Sequence, residues 1–258
     1  ALAEIEDTQF SDSDIKLHIP KRKAFKILLA EDNLINQKVA IRTLNSAGYY
    51  VDAVMNGEQA VRAHTQNHYD LILMDVQMPD VDGFAATKMI RALQEPKNKI
   101  PIIAITAHAL IGDRERCIEA GMDEYVPKPM VARDIIRMID HFLKIDYTHN
   151  KKLKDEVHDL RLFDFDRLKQ ISLGDEVFEK DLLSDYLIDA EHKMQSLREL
   201  HASAEVQKIV DMAHTLKGSS YSVGAKLVGD ESLGIELSAK NNDLENVEER
   251  LTKLAKSI

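Results

Sequence analysis

Asp75 closes a run of four apolar residues in LILMD (71–75), and the chain then breaks at once into the Pro/Asp/Gly sequence MPDVDG. Two more acids, Glu31 and Asp32, follow the apolar run FKILLA, while Thr106 follows PIIAI and Lys128 follows EYVP. Short apolar runs bounded by turn residues are the pattern of strands buried on both faces of a parallel sheet. In such a sheet all carboxyl ends lie along one edge, so these groups meet although they are far apart in sequence. Three carboxylates in one pocket repel each other and raise one another's pKa unless a cation neutralises them. Oxygen donors without His or Cys point to Mg²⁺. Lys128 contributes a point charge and Thr106 a hydroxyl, both suited to phosphate oxygens. The pattern predicts a phosphoryl-acceptor site with Asp75 as nucleophile. Singly, each residue has a plainer reading as a loop cap, a strand hydroxyl or a solvated charge. Jointly, at several strand ends, that reading requires several coincidences.

A second candidate is His214, in AHTLKGSS. Helical spacing gives residues 204–222 a core face of Val206, Ile209, Val210, Ala213, Leu216 and Ser220, and sets His214 off its centre. Lys217, Gly218 and Tyr221 are its i+3, i+4 and i+7 neighbours. A flank-exposed imidazole there is mostly neutral at pH 7 and nucleophilic. Gly218 is costly inside a helix, which suggests clearance for an incoming phosphoryl group and its carrier, with Lys217 balancing the charge.

The elements that must position these residues follow from periodicity. Strands are expected at 25–31, 49–55, 70–75, 101–106 and 124–128, alternating with helices at 34–47, 58–67, 83–94, 109–120 and 130–144. Five β/α units predict a doubly wound parallel α/β sheet with helices on both faces. Beyond Leu143 the strand pattern ends, and helices near 165–171, 175–202, 204–222, 226–240 and 244–257 predict an antiparallel four-helix bundle. The expected division is a linker or N-terminal extension at 1–23, an α/β domain at 24–144, a charged linker or helix extension at 145–163, and an all-α domain at 164–258.

A formal charge of -10 argues against a nucleic-acid partner, which requires clustered Lys/Arg. One cysteine, Cys117, excludes an internal disulfide and a Cys-based zinc site. No run approaches the length that spans a bilayer. The opening residue is Ala1, so the chain is expected to be a piece of a longer protein.

Residues 25–144 resemble a response-regulator receiver domain. Glu31-Asp32 before the first helix, Asp75 with MPDVDG, Thr106-Ala107, Tyr125 and Lys128-Pro129 stand in that family's order and spacing. The wording MDVQMPDVDGF, IPIIAITAHAL and AGMDEYVPKP is closest to receivers appended to hybrid sensor kinases. The resemblance implies a flavodoxin-like strand order 2-1-3-4-5 and phosphorylation of Asp75. It also implies Mg²⁺ held by Asp32, Asp75 and the Gln77 carbonyl with Glu31 assisting, a switch formed by Thr106 and Tyr125, and a cis Lys128-Pro129 bond. Gln77 and His108 would flank the line of water attack, with His108 modulating hydrolysis. Residues 164–258 resemble a histidine-containing phosphotransfer domain through His214, Leu216, Lys217, Gly218 and Ser219.

Together the resemblances imply a phosphorelay protein of the cytoplasm, or the cytoplasmic part of a larger sensor kinase. An upstream histidine kinase would phosphorylate Asp75, which would pass the group to His214 and then to a downstream receiver. No Gly-x-Gly phosphate loop is present, so ATP-dependent self-phosphorylation is not expected. Two alternatives stay open. An aspartyl-phosphate phosphatase would need a second Asp where Gln77 stands, and a lone receiver switch would use the bundle only for dimerisation or docking, with His214 inert.

Overall fold

The computed structural model describes residues 25–106, 113–145 and 163–258. Five strands, β1 Lys26–Ala30, β2 Tyr50–Val54, β3 Leu71–Asp75, β4 Ile102–Thr106 and β5 Glu124–Pro127, form one parallel sheet in the order β2-β1-β3-β4-β5. β3 and β4 are buried along their whole length, as expected of central strands covered on both faces. The covering helices are α1 Leu34–Ser46, α2 Gly57–Gln66, α3 Gly83–Arg91, α4 Asp113–Glu119 and α5 Ala132–Phe142. Side chains above and below the sheet form two separate apolar clusters. The expected start of the helix at 109 lies outside the described residues, as do His108 and most of the charged 145–163 segment.

The second half is helical: α6 Phe165–Ser172, α7 Glu176–Ala202, α8 Val206–Val223, α9 Lys226–Lys240 and α10 Leu244–Leu254. α7 packs on α8, α8 on α9, α9 on α10 and α10 back on α7. Connections of two or three residues make successive members antiparallel, so α7 to α10 close a four-helix bundle. In its core the Tyr186 hydroxyl donates to Ser220 Oγ at 2.9 Å, which satisfies both buried hydroxyls. Phe163, expected in the linker, packs against this core.

The two halves meet through α1, which has two apolar faces. Ala40 and Leu44 point into the sheet's cluster, while Ile35 and Val39 are buried in the core of the helical half. Burying two such side chains contributes about 1.5–3 kcal/mol each. Arg42 Nη2 adds a hydrogen bond to the Ser172 carbonyl at 2.9 Å and an ion pair with Asp175 at 3.2 Å, and Lys38 pairs with Asp185.

Candidate functional site

Asp75 ends β3 at the sheet edge where β1, β4 and β5 also end. Its Oδ2 accepts from Lys128 Nζ at 2.6 Å, and its Oδ1 accepts from the Gln77 backbone N–H at 3.2 Å. Lys128 Nζ also pairs with Glu31 Oε2 at 2.7 Å. Oxygen atoms of Glu31, Asp32 and Asp75 all lie within 4.8 Å of one another. The sharp turn after Asp75 requires Gly83, because a Cβ there would stand 2.2 Å from the Asp75 carbonyl oxygen. Thr106 is buried at the end of β4, and its carbonyl accepts from the Lys128 N–H at 2.6 Å. The Lys128–Pro129 bond is cis. Tyr125 is half-buried against the cluster that contains Met74 and Ala104.

Electrostatics mark this pocket as an unusual place for charge. Burial pushes the Asp75 carboxyl up to about 8; Lys128 pulls it down, and Glu31 and Asp32 add to the rise. Burial and the Glu31 charge raise Asp32 to about 6. Burial works against the Lys128 ammonium, but the Asp75 and Glu31 carboxylates more than offset it and hold its pKa above the ordinary lysine value. A cleft that collects three acids around one lysine is electrostatically short of positive charge, which fits a hard divalent cation.

His214 sits on α8, but it is not the exposed flank residue expected from the helical wheel. Its side chain is only 15% exposed, and its Nδ1 lies 3.2 Å from Glu236 Oε1. Glu236, on α9, is the residue that sequence reasoning missed. Its side chain is 1% exposed and meets two cations, Lys217 Nζ at 2.7 Å and Lys240 Nζ at 2.6 Å, and the His214 ring. A lone Glu in GIELSAK carries no chemical pattern of its own, and the one available cue was its place as the polar residue on a helix face otherwise destined for the core. Lys217 is likewise buried rather than solvated, and it spends its charge on Glu236. Val206, expected in the core face of α8, is only half-buried.

A side chain of α1 links the acidic pocket to the helix that bears His214. Asn36, in the first turn of α1, donates from Nδ2 to Glu31 Oε1 at 2.8 Å and accepts at Oδ1 from Ser222 Oγ of α8 at 2.7 Å. A Cβ on Gly218 would lie 3.5 Å from Asn36 Nδ2, so the missing side chain faces α1. The His214 imidazole is depressed by burial first, with the Lys217 and Lys128 charges adding to the effect, and Lys193 of α7 acts in turn on Asp32.

Residues 27–140 match the family model for the response regulator receiver domain, and residues 181–258 match that for the Hpt domain. The chain is a receiver domain followed by an Hpt domain. The sensor protein GacS of Pseudomonas syringae pv. syringae is 29% identical over 266 residues, covering 100% of this chain and 29% of GacS. The histidine-protein kinase BarA of Shigella flexneri is 29% identical over 204 residues, covering 76% of this chain and 22% of BarA. The chain spans less than a third of either relative. The receiver domain of the sensor histidine kinase PA1611 of Pseudomonas aeruginosa, solved with a magnesium ion in its cleft, is 47% identical with a TM-score of 0.44, covering 46% of this chain and 98% of its own. No described helix is long and apolar enough to cross a membrane.

Proposed function

We propose that this receiver–Hpt chain is the central section of a phosphorelay within a cytoplasmic segment of a hybrid kinase, and that Asp75 and His214 are its two phosphoryl carriers. The observation that carries this reading is the seating of α8, which bears His214, on α1, which begins at the acidic pocket of Asp75. In the first step an Asp75 carboxylate oxygen attacks the phosphorus of an upstream phosphohistidine; an O–P bond forms and the N–P bond breaks. In the second step His214 Nε2 attacks the aspartyl phosphate; a new N–P bond forms and the O–P bond to Asp75 breaks. The Glu236 carboxylate, at 3.2 Å nearer to Nδ1 than the Lys217 ammonium at 3.4 Å, which donates at 2.7 Å to Glu236 itself, favours the tautomer with Nδ1–H and leaves the Nε2 lone pair available. Because burial lowers the imidazole pKa, Nε2 stays unprotonated at neutral pH. A downstream receiver then accepts the group from His214.

Mg²⁺ fits the Glu31–Asp32–Asp75 oxygens, with the Gln77 carbonyl as the further ligand that the receiver resemblance implies, and when bound it would neutralise charge on the transferring group. Lys128 complements it by holding Asp75 Oδ2, and the Thr106 hydroxyl stands at the strand end for a phosphoryl oxygen, with Tyr125 as the switch aromatic. Chelation with EDTA is therefore expected to stop Asp75 phosphorylation and added Mg²⁺ to restore it. An unchanged rate in EDTA rules the cation out.

Gly218 supplies a steric test. Gly218→Ala puts only an ordinary van der Waals contact against Asn36, and it removes a helix penalty of roughly 0.5–1 kcal/mol. It is expected to transfer normally and melt higher. Gly218→Gln sets a long side chain on the flank that faces Asn36 and is expected to slow Asp75-to-His214 transfer about tenfold, an order-of-magnitude expectation for misaligned reactants. Equal transfer rates for the Gln variant and the wild type, with both bundles folded, refute the clearance role. The experiment that decides the relay is phosphotransfer from a purified kinase, with the label assigned to aspartate or histidine by its stability in alkali.

A further inference from the structure

We propose that Asn36 is a positioning residue that ties the seating of the Hpt helix to the phosphoryl pocket; this rests on the relay reading above. The side chain is almost wholly enclosed, 4% exposed, and both ends of its amide are committed. An ionised Glu31 carboxylate only accepts, so the NH₂ end must face it, at 2.8 Å. The carbonyl end then faces Ser222, whose hydroxyl donates at 2.7 Å. One rigid amide thereby connects a carboxylate of the acidic pocket to the helix that carries His214.

Arg167 also spans the halves, donating from Nε to the Ser222 carbonyl at 3.1 Å and from Nη2 to the Met130 carbonyl at 3.4 Å, but it reaches the loop after Lys128 and not a carboxylate of the pocket, and the remaining contacts are still less specific. Ile35 and Val39 are apolar and non-directional. The Lys38–Asp185 and Arg42–Asp175 pairs lie further along α1 with side chains 32–48% exposed, where ion pairs contribute little and orient weakly. The Asn36–Ser222 bond is buried and fixes direction as well as distance. Ser222 is eight residues, a little over two helical turns, after His214 on α8, so holding Ser222 sets both the axial position and the rotation of the helix that presents the imidazole. Asn36 in turn takes its own position from the pocket, since its backbone N–H donates to Asn33 Oδ1 at 3.1 Å in the cap of α1.

The test compares wild type, Asn36→Ala, Ser222→Ala and the double variant as full chains. Two rates are measured for each: phosphorylation of Asp75 by a small acyl phosphate, acetyl phosphate, in a His214→Ala background, and first-order transfer from phospho-Asp75 to His214. Ser222→Ala is expected to slow transfer about tenfold while leaving acetyl-phosphate labelling of Asp75 within a factor of about two, since reactant misalignment acts on transfer alone. The double variant is expected to be no slower in transfer than Asn36→Ala, because both changes remove one connection. Wild-type transfer in Ser222→Ala, equal loss of both rates, or multiplicative effects in the double variant each overturn the proposal. If the wild-type chain itself never labels His214 while acetyl phosphate labels Asp75, the relay reading fails, and Asn36 has no transfer to position.

Discussion

Asp75→Ala is expected to abolish phosphorylation of this chain by an upstream phosphohistidine, and His214→Ala to leave phospho-Asp75 formed but stranded. Asp75 ends β3, and its two oxygens are individually held, one by Lys128 and one by the Gln77 N–H, so that its carboxylate is aimed rather than merely present. Removing it deletes the bond-forming atom, and the loss should exceed about 10³-fold, as for other deleted nucleophiles. Glu31 and Asp32 are not expected to replace it, because both follow β1 rather than ending β3, and Glu31 is buried in its bonds to Lys128 and Asn36. In His214→Ala the label on the chain should be wholly alkali-labile, whereas wild type should carry an alkali-stable fraction. Downstream transfer at the wild-type level in the His214 variant would exclude His214 as a carrier and favour the bundle as a docking module.

Glu236→Ala should be the most damaging change in the Hpt half. The carboxylate is enclosed with Lys217, Lys240 and His214 around it, and deleting it leaves a buried lysine without its counter-ion. Breaking such a network costs about 3–5 kcal/mol. Glu236→Gln keeps the volume and separates charge from packing. It should fold, lose less stability, and transfer more slowly because Nδ1 no longer faces a full negative charge.

The acid limb tests the same network. Burial alone would raise the Glu236 pKa, but hydrogen bonds from His214, Lys217 and Lys240 hold it well below its ordinary 4.5. A group depressed in the folded state stabilises the fold fully above its unfolded value and loses that contribution as pH falls towards its folded value. Wild type should thus lose stability below about pH 4.5 more steeply than Glu236→Gln. Chemical denaturation across that range measures the difference, and parallel acid limbs would show that the network contributes no linkage.

The sequence by itself determined the order and type of the elements. Apolar runs with turn residues mark β1 to β5, three- and four-residue apolar spacing marks α7 to α10, and both signals depend only on residues close in the chain. It also placed Glu31, Asp32, Asp75, Thr106 and Lys128 along one edge, because parallel topology makes strand ends converge wherever they fall in sequence. Only the tertiary structure decided what α1 does. Its Ile35 and Val39 look like ordinary inward residues of an α/β helix, yet they belong to the bundle's core, and periodicity cannot say which of two neighbours a second apolar face will meet. The same holds for His214. Helical geometry put it off the core face, but a side chain is exposed only if nothing else covers that flank, and here Glu236 from α9 meets its ring. Burial by a neighbouring element is a property of packing between distant segments, and no local pattern of residues encodes it.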